Sequence, residues 1–574
     1  MARRAWRPGS QLWQIAPAFD NAETLARKLN TTPLVAQVLH NRGIDDAESA
    51  RAFLNPKLTD LHEPQLLAGA AAAAKRIAEA VAQKQRIVLY GDYDVDGITG
   101  VAILHAFLTM VGADVHYYVP HRLAEGYGVN VEAVGKLAAR GAELLITIDC
   151  GITATGPLAE AAKAGLDVIV TDHHAPGDTL PDVCAIVHPA VPPGSYPNPH
   201  LAGAGVAFKL TWQVAREICG ESRVDEPMRN FLLDATCLAA LGTIADVVPL
   251  LGENRVLAAF GLRGLRALLA SAQLADEKLD AYHVAFMLAP RINAAGRMGH
   301  ARLAVELLTG AAGPRCEKIA DYLTAQNAER KKTERAITAQ AVEMVESAGL
   351  DEPANRVIVL ASADWHGGVI GIVASRLVDR FAKPAILVAM NGETGQGSAR
   401  SIEPFNMCHA LAACSEHLIS CGGHAMAGGL KIAADKLDEF AAAMSRYAAG
   451  VISDRQLTPR LDIDAEATLA SLGYQMVSHL VRLAPFGQGN PPPLVAVRSC
   501  ELLDQPRRMG RSGQTVGMTL RQGGATLRAV GFGMGDLADE LVGVNHIDVA
   551  AEPVLNSFNG RTSVELKLKD VQWR

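Results

Sequence analysis

The segment of residues 89–100, LYGDYDVDGITG, limits the possible folds of this chain more than any other stretch. An apolar run enters it, Asp92, Asp94 and Asp96 stand at every second position, and residues 98–110 have the composition of a helix. If the strand continues through these acids, all three carboxylates point to the same side. Three anions so close together repel one another unless a cation lies between them. The segment therefore predicts a divalent-metal site at the end of a β-strand, and the alternative is an acidic turn without a ligand.

Strands and helices alternate after this segment. Apolar runs at residues 114–119, 144–149 and 167–171 are separated by helical stretches. The alternation predicts a parallel sheet with helices on both faces. The second run ends at Asp149, and the third is followed by Asp172, His173 and His174. Because open α/β sheets bind ligands at the carboxyl ends of their strands, these side chains are expected to meet the first three acids in one crevice.

Residues 201–350 are predicted to be mainly helical. Asp246 lies there in an apolar stretch, where a buried acid is costly unless it is paired or bound to a metal; a helix N-cap or a buried hydrogen-bonded Asp is the alternative. Residues 290–299, PRINAAGRMG, offer Arg291, Asn293 and Arg297 as phosphate contacts beside flexible glycines, and a surface loop without a ligand is the alternative. No helix breaker interrupts the chain between Pro314 and Gly349, which predicts one long helix.

A second α/β region is predicted from about residue 356. Ser398 and Arg400 lie two positions apart on an extended segment, so both can face one side. His424 lies between glycine pairs in residues 421–430, CGGHAMAGGL, where a ligand can approach the backbone closely. A purely structural histidine is the alternative.

Short strand-like runs separated by turn residues begin at about residue 455 and predict a small antiparallel barrel, with an OB-like barrel as one candidate. Arg507, Arg508 and Arg511 share one loop, and further basic residues lie on or beside the strands. This pattern favours binding of a single-stranded nucleic acid over a merely solvated surface.

Composition limits the class of protein. A chain of 574 residues is too long for one core, and 49% hydrophobic residues argue against disorder. No uncharged apolar run is long enough to predict a membrane span, and the basic N-terminus lacks the apolar core of a signal peptide. Nine scattered cysteines without metal-type spacing predict the cytoplasm. The net charge of −7 only weakly opposes a nucleic acid partner, because binding depends on local basic patches rather than on the net charge of the chain.

Taken in order, the motifs resemble the DHH phosphoesterase superfamily and, within it, the RecJ family of bacterial single-stranded-DNA-specific exonucleases. The resemblance covers the chain from about residue 70 to the end. It is carried by Asp246 and by GDYDVDG (residues 91–97), HRLAEGYG (121–128), TIDCG (147–151), TDHH (171–174), PRINAAGRMG (290–299), WHGGVIGIVASRL (365–377) and CGGHAMAGGL (421–430).

The resemblance implies an α/β protein with a DHH parallel-sheet domain and a DHHA1 α/β domain joined by a long helix, followed by a C-terminal OB-like β-barrel. The expected limits are an N-terminal helical extension at 1–70, the DHH catalytic domain at 71–312, the connecting helix at 313–350, the DHHA1 domain at 351–452 and a nucleic-acid-binding OB-fold at 453–574.

The resemblance also implies an activity. Such enzymes hydrolyse single-stranded DNA from the 5′ end to 5′-mononucleotides, use two Mn²⁺ or Mg²⁺ ions and act in recombination and repair. Carboxylates with histidine are the ligand set expected for these ions. By similarity the metal ligands are Asp92, Asp94, Asp96, Asp149, His173 and Asp246, and His174 joins the catalytic set as a phosphate contact or proton donor.

The remaining site residues also follow from the resemblance. Many relatives have a histidine four residues before the position of Asp94; here Tyr90 stands there and Asp92 is the nearest substitute. The residues expected to hold the 5′-terminal phosphate are Arg122, Ser398 and Arg400. The residues expected to contact the substrate backbone are Arg291, Asn293, Arg297 and His424.

The expected partners are single-stranded DNA, a single-stranded-DNA-binding protein and a RecQ-type helicase, and the expected state is a monomer with no membrane association. One alternative is a DHH phosphodiesterase that acts on short oligonucleotides or cyclic dinucleotides. The long chain and the basic C-terminal region favour a polymeric substrate. The other alternative is an inactive scaffold relative, which the presence of every expected ligand disfavours.

Overall fold

The computed structural model describes residues 9, 11–121, 125, 128–192, 196–220, 223–271, 279–298, 301–558 and 560–573. The chain forms two compact units. The central unit comprises Glu48–Ala328 and Leu483–Pro491, and the flanking unit comprises Met1–Ala47, Glu329–Arg482 and Pro492–Arg574. The predicted N-terminal extension is therefore divided between the two units. Within the described ranges, no helix combines the length and the apolar character needed to cross a membrane.

The N-terminal part of the chain contains a strand as well as the predicted short helices. Its elements are β1 (Leu12–Ile15), α1 (Ala22–Leu29), α2 (Pro33–Asn41) and α3 (Ala47–Leu54). β1 pairs in parallel with the later strand Arg460–Ile463. Trp13 on β1 donates from Nε1 to the buried carboxylate of Asp570, at 2.7 Å. This strand was not predicted, because its pairing partner lies far away in the sequence.

A five-stranded parallel sheet organises the central unit, as predicted. Its elements are α4 (Ala70–Ala82), β2 (Arg86–Gly91), α5 (Val95–Met110), β3 (Asp114–Tyr118), α6 (Val131–Ala139), β4 (Leu144–Ile148), α7 (Thr155–Lys163), β5 (Asp167–Thr171) and β6 (Ala185–Val187). The strand order is β3-β2-β4-β5-β6, and every neighbouring pair is parallel. The inner strands are apolar on both faces because α4 and α5 cover one face, and α6 and α7 cover the other.

The second half of the central unit is helical. Its elements are α8 (Gly203–Cys219), α9 (Glu226–Ala245), α10 (Gly252–Ser271), α11 (Ala281–His283), a π-helical turn (Val284–Leu288), α12 (Ala289–Met298) and α13 (Ala301–Thr309). α12 occupies most of residues 290–299, so the surface-loop alternative for this segment is wrong. Gly296 allows close packing of this helix, because a Cβ there would lie 2.4 Å from the carbonyl oxygen of Tyr93.

A single helix, α14 (Pro314–Ser347), follows and confirms the predicted long helix. It begins in the part of the chain assigned to the central unit and ends in the part assigned to the flanking unit. Arg330 and Glu334 on this helix are buried, with Arg330 Nη1 donating to Glu334 Oε2 at 3.1 Å.

A mixed sheet forms the next part of the flanking unit, in the order β10-β11-β9-β8-β7. Its elements are β7 (Ile358–Ser362), α15 (Ile370–Phe381), β8 (Ala385–Asn391), β9 (Thr394–Arg400), α16 (Met407–Ala413), β10 (Ser420–Gly423), β11 (Ala427–Ala433) and α17 (Leu437–Val451). β9 is the extended segment predicted to carry Ser398 and Arg400.

The C-terminal sheet has seven strands, in the order β13-β14-β18-β19-β17-β16-β15. The elements are β12 (Arg460–Ile463), β13 (Ala465–Glu466), α18 (Tyr474–Val481), β14 (Val495–Leu502), β15 (Arg507–Met509), β16 (Thr515–Gln522), β17 (Ala525–Phe532), α19 (Leu537–Glu540), β18 (His546–Phe558) and β19 (Arg561–Gln572). β14 also pairs with β16, so five strands pair in a ring. The pairs β17 with β19 and β13 with β14 are parallel, so the predicted antiparallel pairing holds for the other neighbours in this sheet.

Candidate metal centre

Side chains from three strand ends and one helix end meet in the central unit. Asp92 follows β2, Asp149 follows β4, and Asp172 and His173 follow β5. These strands are neighbours in the sheet, so their carboxyl ends lie side by side. Asp246 comes from the C-terminal end of α9. The predicted meeting of side chains from the strand ends is therefore present.

The acids after β2 are arranged differently from the prediction. The strand ends at Gly91, before the acids, and the helix begins at Val95. Asp94 caps α5, because its Oδ1 accepts hydrogen bonds from the backbone N–H groups of Asp96 at 3.0 Å and Gly97 at 3.1 Å. Asp96 consequently lies in the first helical turn, and the three carboxylates do not alternate along a strand.

His173 lies among the acids. Its Nε2 is 3.1 Å from Asp149 Oδ1, 3.5 Å from Asp246 Oδ2 and 3.7 Å from Asp96 Oδ2. Three sets have ligand-type atoms within 4.8 Å of one another: Asp149, His173 and His174; Asp96, His173 and Asp246; Asp92, Asp94 and Asp149. All six predicted metal ligands belong to these sets. Because Asp149 and His173 are shared between sets, the arrangement fits two neighbouring ions.

The backbone of α8 fixes one of these acids. Gly203 and Ala204 donate their N–H groups to the two carboxylate oxygens of Asp96, at 2.6 and 2.9 Å. A Cβ at Gly203 would lie 2.7 Å from Asp149 Oδ1, and one at Gly242 would lie 2.5 Å from Asp96 Oδ1. Neither glycine was predicted as part of the site. The only signal available was the run of small residues at the start of α8.

The acids are held where their negative charges are costly. Burial, followed by the charge of Asp94, raises the pKa of Asp96 to about 7. Burial and then Asp96 raise the pKa of Asp246 to about 9. The pKa of Asp149 is also raised well above its ordinary value, first by burial and then by Asp96. A divalent cation would stabilise all these charges, and the oxygen-rich donor set fits Mn²⁺ or Mg²⁺.

Asp172 has a different environment. Its carboxylate accepts hydrogen bonds from the backbone N–H of Ile152 at 2.9 Å and from His174 Nδ1 at 2.7 Å. Burial opposes its ionisation, but the hydrogen bond and charge of His174 outweigh burial and lower the pKa of Asp172 to about 2. Asp172 is thus a buried anion that orients His174.

Two backbone positions at the cluster are strained. Asp149 has φ +61° and Val247, directly after Asp246, has φ +62°. The left-handed region is unfavourable for residues other than glycine, and especially for a β-branched valine. Strain of this kind tends to be kept at functional sites.

The predicted substrate contacts of the central unit lie on α12. Asn293 Oδ1 accepts a hydrogen bond from the backbone N–H of Val95 at 3.0 Å, so this side chain supports the acidic segment. Arg291 donates to the carbonyl of Met287. Arg297 lies on the same helix. Arg122 lies outside the described residues. The substrate roles of all four stay predictions.

Ser398 and Arg400 come together in the flanking unit. Arg400 Nη1 donates to Ser398 Oγ at 3.3 Å. A Cβ at Gly371 would lie 2.8 Å from Ser398 Oγ and 3.3 Å from Arg400 Nη2, so the first turn of α15 lies directly against the pair. A guanidinium, a hydroxyl and a helix N-terminus are a combination that attracts anions.

His424 lies in the turn between β10 and β11. Its backbone N–H donates to the carbonyl of Ala427 at 2.8 Å, and Ala427 is the register partner of Arg400 in the neighbouring strand. His424 is therefore in the same part of the sheet as Ser398 and Arg400.

Three protein-family models match the chain: the DHH family, N-terminal domain, at residues 86–240; the DHHA1 domain at 354–450; and the RecJ OB domain at 463–570. The single-stranded-DNA-specific exonuclease RecJ of Bacillus subtilis is 40% identical, with 97% of this chain and 70% of that protein aligned. RecJ of Dickeya dadantii is 34% identical over 93% of this chain and 95% of that protein. The chain belongs to the RecJ family.

Solved structures of RecJ proteins agree with this membership. A crystal structure of Thermus thermophilus RecJ in complex with Mn²⁺ matches with a TM-score of 0.82 at 33% identity, covering 98% of this chain and 79% of that chain. A second, in complex with Mg²⁺, matches with a TM-score of 0.75 at 30% identity, covering 98% of this chain and 78% of that chain. The resemblance to RecJ and the predicted fold class are confirmed.

Proposed function

We propose that this chain is a single-stranded-DNA-specific exonuclease. It hydrolyses phosphodiester bonds from the 5′ end with the help of two metal ions, releases 5′-mononucleotides and acts in DNA recombination and repair. The observation that carries this proposal is the meeting of aspartate and histidine ligands at the strand ends of the central unit. Membership of a family whose similar relatives are named single-stranded-DNA-specific exonucleases supports it.

The acid cluster is proposed as the catalytic centre. Two Mn²⁺ or Mg²⁺ ions, when bound, would offset the phosphate charge and activate the attacking water. The residues proposed to hold them are Asp92, Asp94, Asp96, Asp149, His173 and Asp246. His174, oriented by Asp172, would contact a phosphate oxygen or give a proton to the leaving oxygen from Nε2.

The pair of Ser398 and Arg400, together with Arg122, is proposed to hold the 5′-terminal phosphate. The contact of this pair with the first turn of α15 supports the proposal. A phosphate held at one fixed place determines which phosphodiester bond reaches the metal ions, and so gives the enzyme its polarity. Further contacts to the substrate backbone are proposed for Arg291, Asn293, Arg297 and His424.

The remaining proposals concern context. A single-stranded-DNA-binding protein and a RecQ-type helicase are proposed partners of a monomeric enzyme in the cytoplasm. Nine free cysteines are consistent with a reducing compartment.

The proposed limits of the DHH (71–312), DHHA1 (351–452) and OB (453–574) domains each enclose the corresponding family match.

One assay separates the proposed function from its alternatives. A 5′-labelled single strand, its duplex and a dinucleotide are each incubated with Mn²⁺ and with chelator. We expect release of labelled mononucleotide from the single strand in Mn²⁺ alone, with the duplex resistant. Cleavage of the dinucleotide without the strand would favour the short-oligonucleotide phosphodiesterase. No cleavage of any substrate would favour an inactive scaffold.

The proposed phosphate anchor is tested by Arg400→Ala. We expect kcat/KM on a 5′-phosphorylated strand to fall by about tenfold to a hundredfold, because a charge-assisted contact is lost. Turnover of a 5′-hydroxyl strand should change by less than about twofold, since that strand has no terminal phosphate to bind. The matched control is Arg446→Ala, which removes an exposed arginine of α17. Equal losses on both ends would contradict the anchor.

A further inference from the structure

A cavity at the edge of the central parallel sheet is not used by the proposed function. Its volume is about 430 Å³, which is within the range of small-molecule sites. Apolar side chains form part of its wall. The polar and aromatic part of the wall consists of Arg86, His116, Tyr117, Tyr118, Arg140 and Arg302.

The cavity follows the outer edge of β3. This strand is at the edge of the sheet and pairs only with β2 among the described strands. His116 and Tyr118 point to one face of the sheet and Tyr117 to the other, yet all three line the cavity. Arg140 follows α6 on the first face, and Arg302 lies in the first turn of α13, which packs against α5 on the second. The site is thus built by elements from both faces.

One arginine of the wall is already neutralised. Asp114 accepts a hydrogen bond from Arg86 Nε at 3.0 Å, and its other oxygen lies 3.0 Å from His116 Nε2. Arg86 also donates to the carbonyl of Arg140 at 2.8 Å. These contacts hold Arg86 in place in the wall.

Arg140 and Arg302 are the other two arginines of the wall. The charge of Arg302 acts on Glu306, whose pKa is lowered first by Arg315 and then by Arg302. Glu306, four residues after Arg302, is bound through both oxygens by Arg315, at 2.6 and 2.8 Å. Two guanidinium groups from different helices that line one cavity are suited to an anion, and above all to a phosphate.

The aromatic part of the wall is held in place. Tyr117 packs edge-on against His105, with ring centroids 5.2 Å apart. Tyr118 packs against Tyr90 at 5.3 Å, and its hydroxyl donates to Glu125. Fixed aromatic rings in a wall that also contains arginines suit a flat base, because stacking on tyrosine tolerates any base.

We propose that this sheet-edge cavity binds a nucleotide unit, with its phosphate on Arg140 and Arg302 and its base against Tyr117 or Tyr118. The unit is either a free nucleoside 5′-monophosphate or one nucleotide of a DNA strand. The proposal depends on the cavity alone and holds whether or not the acid cluster is a nuclease centre.

The test measures binding of dAMP to the full chain by calorimetry in the presence of chelator. An Arg400→Ala background removes the proposed terminal-phosphate anchor. We expect one dAMP to bind per chain, and Arg140→Ala or Arg302→Ala to weaken binding by about tenfold or more. Arg229→Ala, which removes an exposed arginine of α9, should change the dAMP affinity by less than about twofold. Thermal melting checks that each variant is folded.

Three results would overturn the proposal: no binding of dAMP, parental affinity in both the Arg140 and Arg302 variants, or inorganic phosphate binding as tightly as dAMP. Competition by a 5′-phosphorylated trinucleotide then distinguishes the two possible ligands, a free mononucleotide and one nucleotide of a DNA strand. A trinucleotide that displaces dAMP at equal or lower concentration supports the site with a strand as its ligand. One that displaces dAMP only weakly supports it with the free mononucleotide.

Discussion

Charged side chains gather in two regions of this protein, with opposite consequences. In the central unit, Asp96, Asp149 and Asp246 are drawn together, and their described contacts are with histidine rings and backbone N–H groups. In the C-terminal sheet, many basic residues form ion pairs with acids. Examples are Arg521 with Glu501, Arg508 with both Asp536 and Asp539, and Lys567 and Lys569 with the shared Glu552.

The difference is that the central acids need a cation as a ligand, whereas the paired basic residues of the C-terminal sheet are neutralised by acids of the same chain. The raised pKa values of the central acids indicate that they require a cation to remain ionised together. Each paired arginine of the sheet attracts phosphate less strongly, because the acid beside it offsets its charge. The predicted nucleic-acid surface therefore narrows to the basic residues of the sheet that have no acidic partner among the described residues, namely Arg507, Arg511 and Arg561.

The largest effect is expected for Asp149→Ala. This carboxylate belongs to two ligand sets, so its removal should lower turnover by more than about a thousandfold, as loss of a group at a reacting centre does. Binding of single-stranded DNA, measured by fluorescence anisotropy, should persist. Asp178→Ala removes an exposed acid of the same unit and serves as the control. Near-normal turnover of the Asp149 variant in excess Mn²⁺ would contradict the two-metal assignment.

A smaller effect is expected when the carboxylates are displaced rather than removed. In Gly203→Ala the new Cβ would lie 2.7 Å from Asp149 Oδ1, so one of the two groups must move. We expect turnover to fall by about tenfold to a hundredfold and the free energy of unfolding to fall by about 1–3 kcal/mol. Urea titration and single-turnover kinetics measure the two quantities.

Gly156→Ala is the matched control for this substitution. A Cβ at Gly156, in the first turn of α7, would meet no atom within 4 Å. The free energy of unfolding should rise by up to about 1 kcal/mol, because alanine restricts the unfolded chain. Turnover should not change. Equal turnover in the two alanine variants would show that the packing of α8 against the acids is not needed for activity.

Local sequence signals were enough to predict much of the centre. Apolar runs that each lead into an acid or a histidine located Asp149 and His173, and the cost of burying an isolated acid singled out Asp246. The parallel sheet with helices on both faces followed from the alternation of strands and helices. These features depend on residues that are close in the sequence.

The features that could not be predicted depend on distant partners. Gly203 and Gly242 matter because two helices pass close to acids that come from elsewhere in the chain. A surface loop stayed open as an alternative for residues 290–299, because the close packing of Gly296 against Tyr93 involves a residue far away in the sequence. The acidic partners of the C-terminal arginines follow from strand register, which the composition of a single strand does not fix.

The third expected effect is a change in the stability of the metal-free protein with pH. In the unfolded chain the Asp pKa is about 4, whereas in the folded chain the pKa is about 7 for Asp96 and about 9 for Asp246. Between these values the folded state binds more protons than the unfolded state, so the free energy of unfolding falls as pH rises. Stability from these groups is fully present below about pH 4 and is lost as pH rises through the folded values.

Thermal melting in chelator across this pH window measures the effect. The variant Asp246→Asn, whose side chain does not titrate, should show a shallower fall of Tm with pH than the parent. Added Mn²⁺ should raise Tm most at high pH, where the acids are ionised. Identical slopes for parent and variant would contradict the argument from repulsion among the acids.

The smallest effect is expected for a paired arginine of the C-terminal sheet. Arg521 on β16 is held by Glu501, so Arg521→Ala should change the affinity for single-stranded DNA by less than about twofold. Arg561→Ala removes an arginine at the start of β19 and should weaken DNA binding several-fold. The slope of log affinity against log salt concentration should become shallower by about one, as expected for the loss of one phosphate contact. Fluorescence anisotropy in chelator at several salt concentrations measures both. A large loss of affinity in Arg521→Ala would mean that DNA displaces Glu501 from the guanidinium. Ion pairing in the free protein would then not indicate which arginines bind DNA.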